Sequence, residues 1–216
     1  MEEMLLTGGA KSPGITVLDI DPSKQTLGAT NLVDVYGHPF TKVGTGNATI
    51  QDVSGQGRVM SFPGSTYFET PMAADISMAV GKFEVRSEFY LNNTATMAVW
   101  ATGDYVSTGN IVGGVLQVPN LSGGSQYFVT DSIGHFVRAF FTPAAPGWND
   151  FSMIWDSTTK IMKIVNNNNP LATQEYTIPY GFGNGTKLSV GGSYPRGVGS
   201  YTLQGYLKRL RIIKQQ

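Results

Sequence analysis

The segment from Trp148 to Ile213 most limits what this chain can fold into. Trp148-Asn149-Asp150-Phe151-Ser152-Met153-Ile154-Trp155-Asp156 alternates apolar with polar after its first residues. A period of two is the pattern of a half-buried strand. Asp156-Ser157-Thr158-Thr159 is a run of small polar turn formers, and Ile161-Met162-Lys163-Ile164-Val165 follows as a second short strand. Two such runs around a tight polar turn predict a hairpin. The run Asn166 to Asn169 and then Pro170 end it, because Asn tolerates left-handed backbone and Pro cannot donate to a ladder. Lys187 to Gly192 and Tyr201 to Ile213 read as two further strands bounded by glycine.

The order of these pieces resembles the last third of a laminin G-like, or concanavalin A-like, jelly-roll domain. The residues that carry the resemblance are Trp148, Phe151, Trp155 and Asp156, then Val165 and Asn166, then Val190, Gly191 and Gly192, and finally Gly205, Tyr206, Leu207, Leu210, Arg211 and Ile212. Met60, Phe62, Gly64 and Tyr67 match a further element of that family in the first half. Two positions depart from the pattern. Asn167 stands where the hairpin glycine is usual, and Lys208 where an acidic residue is common. The resemblance implies an all-β, two-sheet antiparallel jelly-roll sandwich with ligands on the concave sheet or the rim loops. It implies fold and not activity.

Composition agrees with an all-β reading. Charged residues make up 14% of the 216, against roughly 25% in ordinary soluble proteins, while 27 residues are glycine. A chain of this length commonly forms one sandwich. Cysteine is absent, so no disulfide or thiolate metal site is expected. No run of about 18 apolar residues is present to span a membrane as a helix, and Met1 to Gly8 does not read as a secretory signal. Net charge is zero, whereas a nucleic-acid binder shows a basic surplus or stripe. The one basic cluster is Lys208, Arg209, Arg211 and Lys214. It reads as the solvated face of an edge strand, where charge blocks unwanted pairing, or as a contact for an anionic partner.

Residues 1–26 carry little periodicity and several breakers, with Thr16 to Ile20 as one short strand candidate. They read either as an ordered first strand of the sandwich or as a partner-docking arm; the division adopted is arm 1–26 and sandwich 27–216. Leu32 to Tyr36, Ala48 to Val53, Arg58 to Phe62 and Tyr67 to Glu69 are expected strands. The best strand of the first half is Lys82 to Leu91. Phe83, Val85, Ser87, Phe89 and Leu91 share one face, and Glu84, Arg86, Glu88 and Tyr90 the other. Met97 to Trp100 is expected to pair with it across a turn at Asn92 to Thr94.

Gly81 to Arg86 also resembles a hairpin of β-glucanases with this sandwich. Their signature strand carries carboxylates at alternate positions, as retaining hydrolysis needs a nucleophile and an acid/base about 5–5.5 Å apart. The stretch that should carry it, Gly109 to Val118, has no carboxylate. Glu84 and Glu88 are a poor substitute because Arg86 between them favours the ionised forms. No catalytic residue is expected.

Glu84, Arg86 and Glu88 are instead candidates to hydrogen-bond sugar hydroxyls, with Trp100, Tyr105 and Tyr127 as rings for stacking. Aromatic faces suit sugars and also fill cores. Asp104 and Asp131 are isolated aspartates, so ordinary turn roles outweigh calcium binding. His38 and His135 are the only histidines and lie far apart in sequence. The Asn-x-Ser/Thr triplets at Asn47, Asn92, Asn120 and Asn184 fit a composition rich in turns. No cofactor or metal is expected.

These features predict a non-enzymatic virion protein of a bacteriophage, a capsid decoration or tail-fibre component, extracellular after lysis. The arm at 1–26 would bind other virion subunits, a homo-oligomer would be normal, and cell-surface polysaccharide would be a possible ligand. The alternatives are a stand-alone carbohydrate-binding module and, less favoured, a polysaccharide hydrolase or lyase.

Overall fold

The computed structural model describes residues 14–91, 97–105, 111–119, 125–131, 133–141, 146–169, 171–183, 185–192 and 202–215, without the side chains of Asp104, Tyr105, Ile111 and Val112. In chain order the strands of the first half are β1 (Ile15–Ile20), β2 (Thr41–Gly44), β3 (Thr49–Val53), β4 (Gly57–Pro63), β5 (Thr66–Pro71), β6 (Lys82–Leu91), β7 (Trp100–Thr102) and β8 (Asp104–Tyr105). The second half supplies β9 (Ile111–Val112), β10 (Gly114–Val118), β11 (Gln126–Thr130), β12 (Phe136–Phe140), β13 (Gly147–Asp156), β14 (Ile161–Asn166), β15 (Gln174–Thr177), β16 (Lys187–Val190) and β17 (Gln204–Gln215). One 3-10 turn, Pro22–Lys24, follows β1.

The larger sheet runs β15-β14-β13-β6-β17-β4-β3, with β1 also paired to β17. The smaller runs β12-β11-β10-β7-β16-β5-β2, and β8 pairs with β9. The ladders are antiparallel. This is the all-β, two-sheet jelly-roll sandwich that the sequence implies. No helix of the described residues is long and apolar enough to cross a membrane.

β17 is the hub of the larger sheet. One edge pairs with β6 over its whole length. Its other edge pairs with β4 through Leu207 and with β1 from Leu210 onward. The tight contact with β6 needs Gly205, because a Cβ there would lie 2.1 Å from the Tyr90 carbonyl oxygen. A Cβ on Gly191 would likewise enter the Phe62 ring. These two glycines of the family-like pattern are therefore required by close approach.

The core lies between the sheets. An aromatic chain crosses it: Trp100 to Tyr127 at 6.0 Å between ring centroids, Tyr127 to Phe141 at 5.2 Å, Phe141 to Phe151 at 4.9 Å and Phe151 to Phe89 at 6.3 Å. Trp155 stacks on Phe182 at 4.3 Å. A buried polar tie joins the layers, Ser87 Oγ donating to Gln117 Oε1 at 2.9 Å. Burial raises the cost of leaving either group alone.

The 148–166 hairpin and both faces of β6 form as expected. In the connecting turn Asp156 Oδ1 accepts from Thr158 N, and Lys160 adopts φ 59°. Four other expectations need correction. Residues 15–26 are not an arm, because β1 is a strand of the larger sheet with Leu18 and Ile20 fully buried; residues 1–13 lie outside the described ones. Leu32 to Tyr36 makes only the bridges Ile20↔Asp34 and Val33↔Pro39, because Val33, Val35 and Tyr36 face solvent. Trp100 does not pair with β6; β7 belongs to the other sheet, between β10 and β16. The basic cluster lies on an interior strand, so edge protection does not explain it.

Deleting residues 1–26 therefore removes core. Leu18 and Ile20 are each fully buried, and losing a buried Leu or Ile side chain costs about 2–5 kcal/mol. Thermal unfolding should show the 1–26 deletion to be unfolded or strongly destabilised. A deletion of 1–13, which spares β1, is the control.

Candidate functional site

The outward face of the larger sheet carries the most organised set of exposed side chains. On β13 the inward residues are Phe151, Met153 and Trp155, so Trp148, Asp150, Ile154 and Asp156 project outward. β6 contributes Glu84, Arg86, Glu88 and Tyr90 to the same face. Register sets these strands into rows. Trp148 lies opposite Tyr90, which lies opposite Tyr206. The next row is Asp150, Glu88 and Arg209; Ser152, Arg86 and Arg211 follow. Cross-strand neighbours in such rows are the side chains close enough to interact.

The first row is aromatic. Tyr90 contacts Trp148 at 5.4 Å and Tyr206 at 5.6 Å, and Trp148 and Tyr206 are near parallel at 6.4 Å. A bulge between Leu207 and Arg209 turns Lys208 toward this row. Its ammonium stands 5.8 Å from the Trp148 ring and donates to Gln56 Oε1 at 3.3 Å. Gln56, Glu88, Trp148, Asn149, Asp150, Asn168 and Lys208 together line a cleft of about 140 Å³.

Hydrogen bonds fix the polar side of this cleft. Arg86 binds Asp150 in a fork, with Nε at 2.9 Å from Oδ1 and an Nη atom on Oδ2. That pairing raises the Arg86 pKa against the cost of its partial burial. Asn167 Nδ2 donates to Asp150 Oδ1 at 2.8 Å and to Ser152 Oγ at 3.0 Å. Ser152 Oγ donates to Glu84 Oε1 at 2.5 Å. Asn168 Nδ2 donates to the Trp148 carbonyl at 3.2 Å. Glu88 is 3.7 Å from Arg211, and Arg209 binds Asp19 through two bonds of 2.9 Å. Asn167, which departs from the family-like pattern, thus holds the site's aspartate.

The six residues expected to contact sugar separate. Glu88 lines the cleft. Arg86 and Glu84 lie on the same face, but Arg86 pairs with Asp150 instead of bridging the two glutamates. Same-face neighbours along a strand are about 7 Å apart, whereas those across a ladder are about 5 Å apart. Trp100 and Tyr127 are a correction. Both are fully buried in the aromatic chain of the core and offer no ring face to a ligand. Burial pushes the Tyr127 phenol upward. Tyr105 is on β8, and its side chain lies outside the described ones, as does that of Asp104.

Trp148, Tyr206, Asp150, Asn168 and Lys208 were missed. Parity along β13 was the available signal, since Trp148 and Trp155 differ by an odd number and must face opposite ways. Among the described residues no cluster of three or more His, Asp or Glu side chains is placed to hold a metal ion. Asp131 is engaged by Ile133 N, His135 N and His135 Nδ1.

His38 stands apart from this face and forms a latch. Nδ1 is 2.6 Å from Asp34 and Nε2 is 3.1 Å from Asp75, joining two loops. Only the imidazolium donates from both nitrogens. Burial lowers the His38 pKa, but the bonds to Asp34 and Asp75 outweigh it and leave the pKa above 6.5. A folded-state pKa above the unfolded one stabilises the protonated fold. The latch contribution is therefore full below about pH 6.5 and is lost as pH rises through the raised value. Its lower limit comes from Asp75, which burial would raise but the His38 bond holds below its ordinary range. The wild type should lose thermal stability from about pH 6.5 upward, and His38→Gln should flatten that decline.

No protein-family model matches the sequence, and no curated protein sequence matches it. The fold is similar to solved structures. Domain 4 of an extracellular arabinanase from Geobacillus stearothermophilus, solved with arabinotriose, matches at TM-score 0.64 and 14% identity, over 94% of each chain. The binding domain of botulinum neurotoxin serotype D matches at TM-score 0.64 and 11% identity, over 94% of this chain and 49% of the other. A sialidase carbohydrate-binding module from Ruminococcus gnavus, solved with α2,3-sialyllactose, matches at TM-score 0.50 and 13% identity, over 62% of this chain and 76% of the other. At these identities the likeness establishes the jelly-roll fold.

Proposed function

We propose that this domain binds glycans on the outer face of its larger sheet, at the cleft beside Trp148. The observation that carries the reading is the joining, in one cleft, of a half-buried, outward-facing indole to pinned hydrogen-bonding groups. A sugar ring needs both: an apolar face to pack its C–H groups, and polar groups placed to meet its hydroxyls. Asp150 and Glu88 can accept, while Lys208 can donate. Their positions are set before binding, which lowers the ordering cost. The fold neighbours support the reading, since two of them were solved with bound oligosaccharides.

Binding without cleavage fits the same geometry. Neither carboxylate in the cleft is free to serve as a general acid: Asp150 carries the Arg86 fork, and Glu88 faces Arg211. An adhesion role on a phage particle, the setting that the sequence suggests, requires a binding face and no chemistry. The test is retention of the intact chain on arrayed glycans and in gels cast with purified polysaccharides, followed by competition with the free sugar. Saturable, competable binding is the expected result. Absence of retention by any glycan overturns the reading, and release of new reducing ends overturns the non-enzymatic part of it.

A further inference from the structure

The face that carries the cleft beside Trp148 continues well beyond it. A second and larger cleft, of about 540 Å³, lies farther along the same strands. Its apolar floor is Ile154, Ile161 and Val165, and Lys82, Lys163 and Asp156 stand around it. Register explains why the two clefts share a face. Ile154 and Asp156 are two-residue steps onward from Asp150 and Ser152 on β13. Val165, Lys163 and Ile161 are the β14 partners of Ser152, Ile154 and Asp156. From Trp148 to Asp156 the strand advances eight residues, or ~27 Å at about 3.4 Å per residue.

The ground between the clefts is polar and pinned. Ser152 is buried between Glu84 and Asn167, and Arg86 is held by Asp150. Lys163 is paired with Glu175 at 2.5 Å on the outer side. An apolar floor ringed by polar groups is the aliphatic counterpart of the cleft at the Trp148 end. A terminal sugar would use one cleft and leave the other idle. A long chain lying along β13 would use both, with the polar ground meeting its hydroxyls.

We infer that the domain recognises an internal stretch of a linear polysaccharide, laid along β13 from Trp148 to the row where Asp156 faces Ile161 of β14, and not a chain end. This rests on the glycan-binding reading above and adds the ligand's form to it. Linking contacts along one ligand makes each later contact intramolecular, so affinity should climb with chain length.

The test uses arabino-, cello-, xylo- and chito-oligosaccharide ladders, each from dimer to hexamer, with their parent polymers, titrated against the full chain. In at least one ladder the hexamer should bind tenfold or more tighter than the dimer. Ile161→Asp should weaken the hexamer about tenfold and leave the dimer unchanged, while Trp148→Ala weakens both. Ile161→Ala, expected to act in the same direction, replaces Ile161→Asp if the charge unsettles the hairpin. Equal affinity for dimer and hexamer, with Ile161 variants silent and Trp148→Ala still damaging, overturns the extended site but leaves glycan binding standing. Binding that ignores Trp148, or no binding by any ladder or polymer, overturns both.

Discussion

Trp100→Ala lowers the stability of the fold by about 3–5 kcal/mol, the range for removing a buried Trp or Phe side chain. The ring is fully buried and touches Tyr127, which leads through Phe141 to Phe151 on the opposite sheet. Removing it empties space where the two layers meet, and close-packed interiors relax only partly around such a gap. For a chain of this size each kcal/mol moves the midpoint by about 2–4 °C, so the thermal midpoint should drop by about 6–20 °C. The indole N–H has no partner among the described residues. Trp100→Phe should therefore recover much of the loss, because it restores an aromatic ring and leaves no orphaned donor. Differential scanning calorimetry of both variants decides the matter. A shift for Trp100→Ala as small as that of a surface substitution would mean that the ring is not part of the core.

The reach of sequence reasoning can be seen in the three tryptophans. Alternation along 148–156 and 82–91 identifies both strands and their two faces, because side-chain parity is a local property of a strand. It already separates Trp148 from Trp155. Trp100 sits in the three-residue strand β7, where parity has too little length to act, and its partner strands are remote in sequence. β6 pairs with β13 and β17, each many residues away, so no local pattern announces them. The stretch Gly114–Val118 is buried on both faces and shows no alternation at all. The candidate site was legible in part for the same reason. Glu88 could be placed on the outer face from its own strand, but its neighbours Asp150 and Lys208 come from ladder register and a bulge.

Trp148→Ala should abolish most glycan binding while leaving the sandwich folded. Trp148 is only half-buried and belongs to a surface row with Tyr90 and Tyr206. Losing its cross-strand aromatic contacts costs about 0.5–1.5 kcal/mol, so the thermal midpoint should fall by only a few degrees. Binding should suffer far more. A buried Trp anchor at an interface typically carries 2 kcal/mol or more, which corresponds to roughly thirty-fold in affinity when each 1.4 kcal/mol is tenfold. Trp148→Phe keeps a ring over the cleft and should recover part of the affinity, whereas a lost charge or hydrogen bond would not be restored by it. Isothermal titration with a retained oligosaccharide, alongside calorimetric unfolding of the same samples, separates the two effects. A normal midpoint with unchanged affinity would remove Trp148 from the site. A large fall in both would make it a packing residue, like Trp100.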